Sequence, residues 1–239
     1  FNPTLGITGS PWVGLTYFKQ FFESYYFTDI LWNTISLSVF TMLIGFPVPI
    51  LLALLINEIK NVKFKKLIQN ITYIPNFLSV VVIVSMLTLF SNSDYGLFNK
   101  ITGLFGIAPM DFMSKPALFQ PLYVFSNVWQ FMGFNAIIYI AALSSVDQEL
   151  YEAASIDGAT RLQKIIHISI PCIMSTIIVL FIMRIGSLMS VGFEKVYLMQ
   201  NSVTLSASEV ISTFIYKNGI QKGQFSYSTA VGLFNSVIN

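Results

Sequence analysis

The sequence predicts an all-α fold, a bundle of helices that crosses a lipid bilayer several times. Of its 239 residues, 54% are hydrophobic and only 10% are charged. Ordinary globular domains carry roughly 25% charged residues, so this much apolar surface cannot be buried in one water-soluble core. Several stretches also run for long distances without Asp, Glu, Lys or Arg. Lipid must therefore form part of the solvent.

Five of these stretches are candidate transmembrane spans. About 20 apolar residues in a helix match a hydrocarbon core of ~30 Å, and a helix satisfies its own backbone groups inside lipid. The stretches are residues 30–57, 67–93, 116–146, 165–183 with a continuation past Arg184 to Phe193, and 225–239. The last is interpreted as a span that is cut short. We expect one transmembrane domain over residues 1–239, with Pro47 and Pro49 kinking the first span.

Lysines between the first two spans predict the orientation of the bundle. Four lysines lie between positions 60 and 66, and short loops rich in Lys and Arg stay in the cytoplasm. Alternation then places residues 147–170 in the cytoplasm as well, and leaves 1–29, 94–115 and 194–224 outside. The first residues do not have the pattern of a signal peptide. We therefore expect a further span before Phe1, which would make about six in the full chain.

Several function classes find no support in the residues. A net charge of +2 is too small to indicate nucleic-acid binding. Cys172 is the only cysteine and His167 the only histidine, so neither a metal cluster nor a nucleophile with a histidine partner can be assembled. No glycine loop followed by lysine is present to cradle a phosphate. We expect a protein that is not an enzyme and that binds no metal or cofactor itself.

The second cytoplasmic segment, residues 147–171, has helical spacing of its own. Residues at i, i+3, i+4 and i+7 predict a short helix, and they are Leu150, Ala153, Ala154 and Asp157. Gly158 follows and can take the left-handed conformation that ends a helix. A second run over residues 159–168 then places Leu162, Ile165 and Ile166 on one face. The segment is predicted to be a helix, a turn and a helix.

Such a shape suits docking into a groove on a partner. Paired alanines allow close approach, while Glu149, Glu152, Arg161 and Lys164 give polar contacts. The alternative is an amphipathic linker that lies among lipid headgroups. Four acidic residues against two basic ones argue against that alternative, because anionic headgroups would repel the excess.

Residues 147–171 resemble the EAA loop in the permease subunits of binding-protein-dependent ABC importers of type I. That pattern reads EAA, three residues, G, nine residues, I-x-L-P. Here Glu152-Ala153-Ala154 precedes Gly158 by three residues, and Ile168-Ser169-Ile170-Pro171 follows after nine more. Ile170 stands where the family usually has leucine, a residue of similar volume. Further matches to the maltose-type, polysaccharide-importing branch are residues 10–15, 33–34, 45–47, 54–59, 192–194 and 229–234.

The resemblance implies a six-helix permease that pairs with a second, homologous permease subunit in the bacterial plasma membrane. Each permease would rest its EAA loop in a cleft of one of two ATPase subunits, which bind the ATP and Mg²⁺. A separate extracytoplasmic solute-binding protein would deliver an oligosaccharide. Closure of the ATPase subunits would then switch the pathway from inward-facing to outward-facing. The coupling residues implied here are Glu152, Ala153, Ala154, Gly158 and Arg161.

Two further features predict where the substrate passes. Arg184 interrupts the fourth span near its middle, and a charge there is costly unless it faces protein or water. We expect it to line the translocation pathway or to pair with a carboxylate of the second permease. The span 116–146 also carries rings and amides, which suit the C–H faces and hydroxyls of sugars. Its candidate pathway residues are Trp129, Phe131, Asn135 and Tyr139.

Those rings and amides could equally pack against neighbouring helices, and the residues alone leave both interpretations open. Two other function classes also remain, a secondary transporter or channel and a membrane enzyme. A permease should purify together with an ATPase subunit, whereas a secondary transporter should work alone and respond to an ion gradient.

Overall fold

The computed structural model of the protein describes residues 6–238. Phe1 to Leu5 and Asn239 lie outside the described residues, as does any span before Phe1. Within residues 6–238 the regular elements are helices and there is no strand, so the all-α prediction is confirmed. The α-helices are Gly6–Gly9, Thr16–Phe22, Phe27–Gly45, Pro47–Asn57, Val62–Tyr73, Val80–Ser91, Leu97–Gly103, Pro116–Ser144, Gln148–Ile156, Arg161–Lys164, Ile170–Cys172, Met174–Ile185, Phe193–Met199, Leu205–Ser208, Ile211–Tyr216 and Phe225–Ile238. Short 3₁₀ turns are Ile74–Phe77 and Phe112–Ser114, and π-helical turns are Ile165–Ser169 and Lys217–Gln221.

Two helices in the described residues are long and apolar enough to cross a membrane, Phe27–Asn57 and Pro116–Ser144. The first is interrupted at Phe46, directly before the prolines that predicted a kink. Pro47 has no N–H to donate, yet Phe46 keeps helical dihedrals and its own N–H still reaches the Met42 carbonyl. The chain therefore continues as one helical run of 31 residues across the interruption.

The second predicted span, residues 67–93, differs most from its prediction. The lysine-rich segment is not a loop, because a helix begins at Val62 and the Asn61 side chain accepts hydrogen bonds from the N–H groups of Lys63 and Phe64. The chain then bends sharply after Phe77. Leu78 is extended, and its carbonyl accepts a hydrogen bond from Gln130 Nε2 at 3.3 Å.

The fourth predicted span is also a bent pair, with an angle of 63° between Arg161–Cys172 and Met174–Ile185. Pro171 explains the irregularity that precedes the bend, since it has no N–H for the carbonyl one turn back. The helix adapts with the π-helical turn Ile165–Ser169, in which the Ile170 N–H reaches the Ile165 carbonyl. If each bent pair is counted as one span, the described residues hold up to four spans.

The segment 194–224, predicted as an outer loop, contains helices of its own and buried residues. Val196 and Val210 have no exposed surface and Ile211 is 1% exposed. The predicted fifth span corresponds to the helix Phe225–Ile238, which has 14 residues. A fifth crossing therefore stays a prediction.

Packing divides the chain into two compact units. The first comprises the residues up to Val39, Val80–Tyr123 and the residues from Ser187 onward, and the second comprises Phe40–Ser79 and Val124–Gly186. The core of the first unit is built on Phe21, Ile30, Met189, Ile211, Tyr227 and Val231. The core of the second is built on Ala53, Leu54, Ala136, Tyr139, Leu143 and Ile173. The single domain over 1–239 stays a prediction.

Hydrogen bonds from the first long helix hold the first unit together. Asn33 donates from Nδ2 to the carbonyls of Ser206 and Glu209 at 2.9 and 3.2 Å. Thr34 Oγ1 accepts from the Ile211 N–H at 3.0 Å. These two polar side chains are buried, and they satisfy backbone groups of a segment that has no long helix of its own.

In the second unit, Gly133 allows two helices to pack backbone against backbone. A Cβ atom at this position would lie 2.1 Å from the carbonyl oxygen of Thr72. Small residues at helix interfaces in membranes permit this close approach. Gly133 therefore fixes how Pro116–Ser144 lies against Val62–Tyr73.

We predict that Gly133→Ala lowers the thermal stability of the detergent-solubilised protein, because the two helices must separate to admit a methyl group. Such overpacking costs about 1 to 3 kcal/mol. Gly232→Ala is the matched control, since the nearest atom to its added Cβ is Ile215 Cδ1 at 3.8 Å. Thermal unfolding of the two variants beside the unsubstituted protein checks this, and equal midpoints for all three would contradict it.

Candidate functional site

The coupling loop, residues 147–171, begins with the helix Gln148–Ile156, which has a side-chain cap at its N-terminus. Asp147 precedes it, and its Oδ1 accepts a hydrogen bond from the Glu149 N–H at 3.0 Å. A carboxylate here also interacts favourably with the helix dipole. None of the residues of this helix is buried. It is thus a well-formed helix that leaves its side chains available to a partner.

Gly158 ends this helix in the left-handed conformation, with φ of +75°. Its N–H reaches the Ser155 carbonyl at 3.2 Å, and the Ala159 N–H reaches the Ala154 carbonyl at 2.9 Å. This pair of bonds is the Schellman arrangement, which satisfies the last carbonyls of a helix. The prediction that Gly158 terminates the helix by a left-handed turn is confirmed.

The second helix of the loop begins at Arg161, two residues later than the run predicted from position 159. Thr160 and Gln163 set this start through a capping box, in which Gln163 Oε1 accepts from the Thr160 N–H at 2.8 Å and Thr160 Oγ1 accepts from the Gln163 N–H at 3.4 Å. The sequence pattern Thr-x-x-Gln carried this signal, and the apolar spacing did not.

Two hydrogen bonds tie the helices of the loop to each other, and sequence reasoning missed both. Lys164 Nζ donates to Ser155 Oγ at 2.5 Å. Tyr151 OH and Ser169 Oγ are 2.9 Å apart, and Ser169 is only 1% exposed. Tyr151 and Ser155 lie four residues apart and so share a helix face, which is the only local sign of this arrangement. The loop is therefore braced at both ends.

The predicted coupling residues lie mostly on the exposed side of the braced loop. Glu152, Ala153 and Arg161 are exposed, while Ala154 is half-buried. Apolar side chains accompany them, with Ile156 87% and Leu162 65% exposed. The loop presents a mixed apolar and charged surface.

Arg184 lies in a cleft of the second unit that brings together three predicted pathway residues. The cleft has a volume of about 140 Å³, and its lining residues are Gly45, Phe46, Pro49, Asn135, Ile138, Tyr139, Leu180 and Arg184. Asn135 and Arg184 are exposed, whereas Tyr139 is 3% exposed and belongs to the core as well. We call this the Arg184 cleft.

Trp129 and Phe131 do not belong to this set of lining residues. Trp129 precedes Asn135 by six positions, which places it about 120° away around the helix. Phe131 precedes Asn135 by one turn and points to the same side of the helix, farther along it. Both side chains are half-buried. The structure thus groups Asn135, Tyr139 and Arg184, and their roles stay a prediction.

Interruption of the first long helix shapes one wall of the Arg184 cleft. Gly45, Phe46 and Pro49 all come from this region. The Phe46 ring packs edge to face on Phe181, with centroids 5.1 Å apart. Phe181 lies on the helix Met174–Ile185, which also carries Arg184. This helix therefore holds the Phe46 ring in place.

Lys195 is a buried cation in the first unit that the sequence did not single out. It is 4% exposed, and its Nζ lies 5.7 Å from the centroid of the Tyr123 ring. Burial lowers the pKa of Lys195 from 10.5 to about 8. In the sequence Lys195 directly follows Glu194 in a segment predicted as an outer loop, and this position does not predict burial.

Comparison with known proteins places the chain in a family. Residues 45–239 match the family described as binding-protein-dependent transport system inner membrane component. The polygalacturonan/rhamnogalacturonan transport system permease protein YteP of Bacillus subtilis (strain 168) is 44% identical over 100% of this chain and 74% of that protein. The arabinooligosaccharides transport system permease protein AraP of the same organism is 31% identical over 92% of this chain and 70% of that protein.

A crystal structure of a bacterial ABC transporter involved in the import of the acidic polysaccharide alginate has a similar fold. Its matching chain superposes with a TM-score of 0.92 and 40% identity, covering 96% of this chain and 80% of that one.

These similarities define a class of protein, the membrane-embedded permeases of ABC importers. The chain belongs to the family of inner-membrane components of binding-protein-dependent transport systems. It is thus a multi-pass membrane protein, and the resemblance to permeases of binding-protein-dependent ABC importers is confirmed.

We predict that Gly158→Val preserves membrane insertion but uncouples transport, because a β-branched residue at φ of +75° costs about 1 to 3 kcal/mol. No atom lies within 4 Å of the added Cβ, so the effect comes from the turn itself. Gly158→Asn is the matched control, since asparagine tolerates the left-handed region.

Sugar uptake and ATP hydrolysis should be measured on the same purified complex. We expect Gly158→Val to lose ATPase attachment or to hydrolyse ATP without uptake, and Gly158→Asn to retain most of both. Unchanged uptake and hydrolysis in Gly158→Val would show that this turn does not couple the two.

Proposed function

We propose that this chain is one of two transmembrane subunits of an ABC importer for oligosaccharides or polysaccharide fragments. An extracytoplasmic solute-binding protein delivers the sugar, and two partner ATPase subunits bind ATP and Mg²⁺ and supply the energy. The observation that carries the proposal is the coupling loop, a braced pair of short helices with an exposed apolar surface.

The exposed surface of the loop is suited to a cleft in the ATPase subunit. Ile156 is 87% exposed at the end of a helix none of whose residues is buried, and docking would remove it from water. Ala153 has a small side chain, which lets the partner approach the helix backbone closely. Glu152 and Arg161 are exposed and of opposite charge, so they can fix the orientation of the docked loop.

Bracing within the loop allows it to move as a unit. The Ser155–Lys164 and Tyr151–Ser169 hydrogen bonds hold the first helix against the second. The second helix continues through the π-helical turn and the bend into Met174–Ile185, which carries Arg184. A displacement imposed by the ATPase subunit is thereby passed to the wall of the Arg184 cleft.

The Arg184 cleft is our candidate for part of the translocation pathway. Asn135 supplies an amide, Tyr139 a hydroxyl and Arg184 a charge, so the cleft offers hydrogen-bond partners to sugar hydroxyls. Trp129 and Phe131 belong to the same proposal as ring surfaces elsewhere on the helix, against which C–H faces can stack.

Reconstitution separates this function from that of a secondary transporter. We predict that proteoliposomes with this chain alone take up no sugar, while those with the second permease, both ATPase subunits and the binding protein take it up when ATP is supplied. The measurement is uptake of labelled oligosaccharide with and without ATP and with and without an ion gradient. Gradient-driven uptake by this chain alone would contradict the proposal.

A further inference from the structure

Arg184 is an intramembrane cation whose surroundings are those of a ligand site. It stands alone among charged residues between positions 165 and 193, on the helix Met174–Ile185 beyond the bend at Ile173. The sequence predicted Arg184 near the middle of a span, but in the structure it is the penultimate residue of this helix. An arginine within a membrane-embedded bundle faces protein or water in preference to lipid. The side chain is exposed and borders a concave space.

The groups around that space can bind both the hydroxyls and a carboxylate of a sugar. Asn135 can both donate and accept hydrogen bonds, and Tyr139 carries a hydroxyl. Phe46 adds a ring that is held by Phe181 at a centroid distance of 5.1 Å. Arginine presents a planar fork of N–H donors that fits the two oxygens of a carboxylate.

We propose that the Arg184 cleft binds the carboxylate of a uronic acid residue in the transported oligosaccharide. The inference rests on the proposed function and names the substrate class of the same pathway. A volume of about 140 Å³ is below the ~300 Å³ of a site that encloses a whole small ligand. It therefore holds the carboxylate edge of one sugar residue as the chain passes.

The substrates for which two relatives are named are consistent with a preference for acidic sugars. YteP at 44% identity is named for polygalacturonan, a polymer of uronic acid, and the 40% identical structure is named for the acidic polysaccharide alginate. AraP, named for neutral arabinooligosaccharides, is 31% identical. The chain is thus more similar to the two proteins named for acidic sugars.

A carboxylate of the second permease is the rival partner for Arg184. Such a pair would neutralise the guanidinium in every transport state and would make no distinction between acidic and neutral substrates. The amide of Asn135 beside Arg184 favours the sugar, because a protein carboxylate needs no additional hydroxyl-binding group.

The complete importer should be tested with two substrates that differ only in charge, trigalacturonate and its methyl ester. The variants are Arg184→Gln, which removes the charge, and Arg184→Lys, which keeps it. Lys100→Gln is the control, as it removes an exposed positive charge elsewhere. The binding protein is the same in every sample, so the ratio of each variant to the unsubstituted importer reports on the permease alone.

We expect Arg184→Gln to lower uptake of trigalacturonate about tenfold or more, the loss typical of a charge-assisted hydrogen bond. Uptake of the methyl ester should change less than twofold, and Arg184→Lys should recover part of the acidic uptake. Equal loss for both sugars, or failure of the Gln variant to assemble while Arg184→Lys transports both normally, would assign Arg184 to the second permease and overturn the inference.

Two outcomes in the unsubstituted importer separate this inference from the proposed function. Import of neutral oligosaccharides with no uptake of trigalacturonate would overturn the uronate site and leave the importer assignment intact. ATP-dependent uptake of no sugar at all, acidic or neutral, would overturn both.

Discussion

Backbone hydrogen bonding inside the membrane limits how this chain can fold. Hydrocarbon offers no partner to an N–H or a carbonyl, so each break in a helix must be closed by the protein itself. The Leu78 carbonyl is satisfied by Gln130 from another helix. The irregularity before Pro171 is closed by a π-helical turn. These breaks allow the helices to bend without leaving backbone groups unsatisfied.

The proposed function assigns coupling to the loop of residues 147–171 and passage of the sugar to the Arg184 cleft, and one helical run connects the two. The coupling loop is fixed by a left-handed glycine and two side-chain hydrogen bonds. The Arg184 cleft lies beyond the bend at Ile173. Under that proposal, a shift of the loop reaches the cleft along this run, because closely packed helices move together. This physical connection is the basis for assigning coupling and passage to the same subunit.

Features set by local chemistry could be predicted from the sequence, and features set by tertiary contacts could not. The lengths of the apolar stretches predicted both long helices to within a few residues. The left-handed conformation that commonly ends a helix predicted the role of Gly158. Counting apolar residues could not reveal the bend after Phe77, because a bent pair of helices contains the same apolar residues as a straight span. The Tyr151–Ser169 bond joins residues 18 positions apart, and the meeting of Arg184 with Asn135 requires two packed helices. The sequence therefore named three residues that line the cleft, Asn135, Tyr139 and Arg184. It could not show that Phe46 joins them or that Trp129 does not.

Photocrosslinking from position 156 tests the central claim, that the exposed face of the coupling loop lies against an ATPase subunit. The photoreactive residue p-benzoylphenylalanine should replace Ile156 in the complete importer, with the same replacement of Val203, 59% exposed in a segment predicted outside, as the control. We expect a covalent adduct with the ATPase subunit from position 156 and none from position 203. An active complex that gives no ATPase adduct from 156, or equal adducts from both positions, would contradict it.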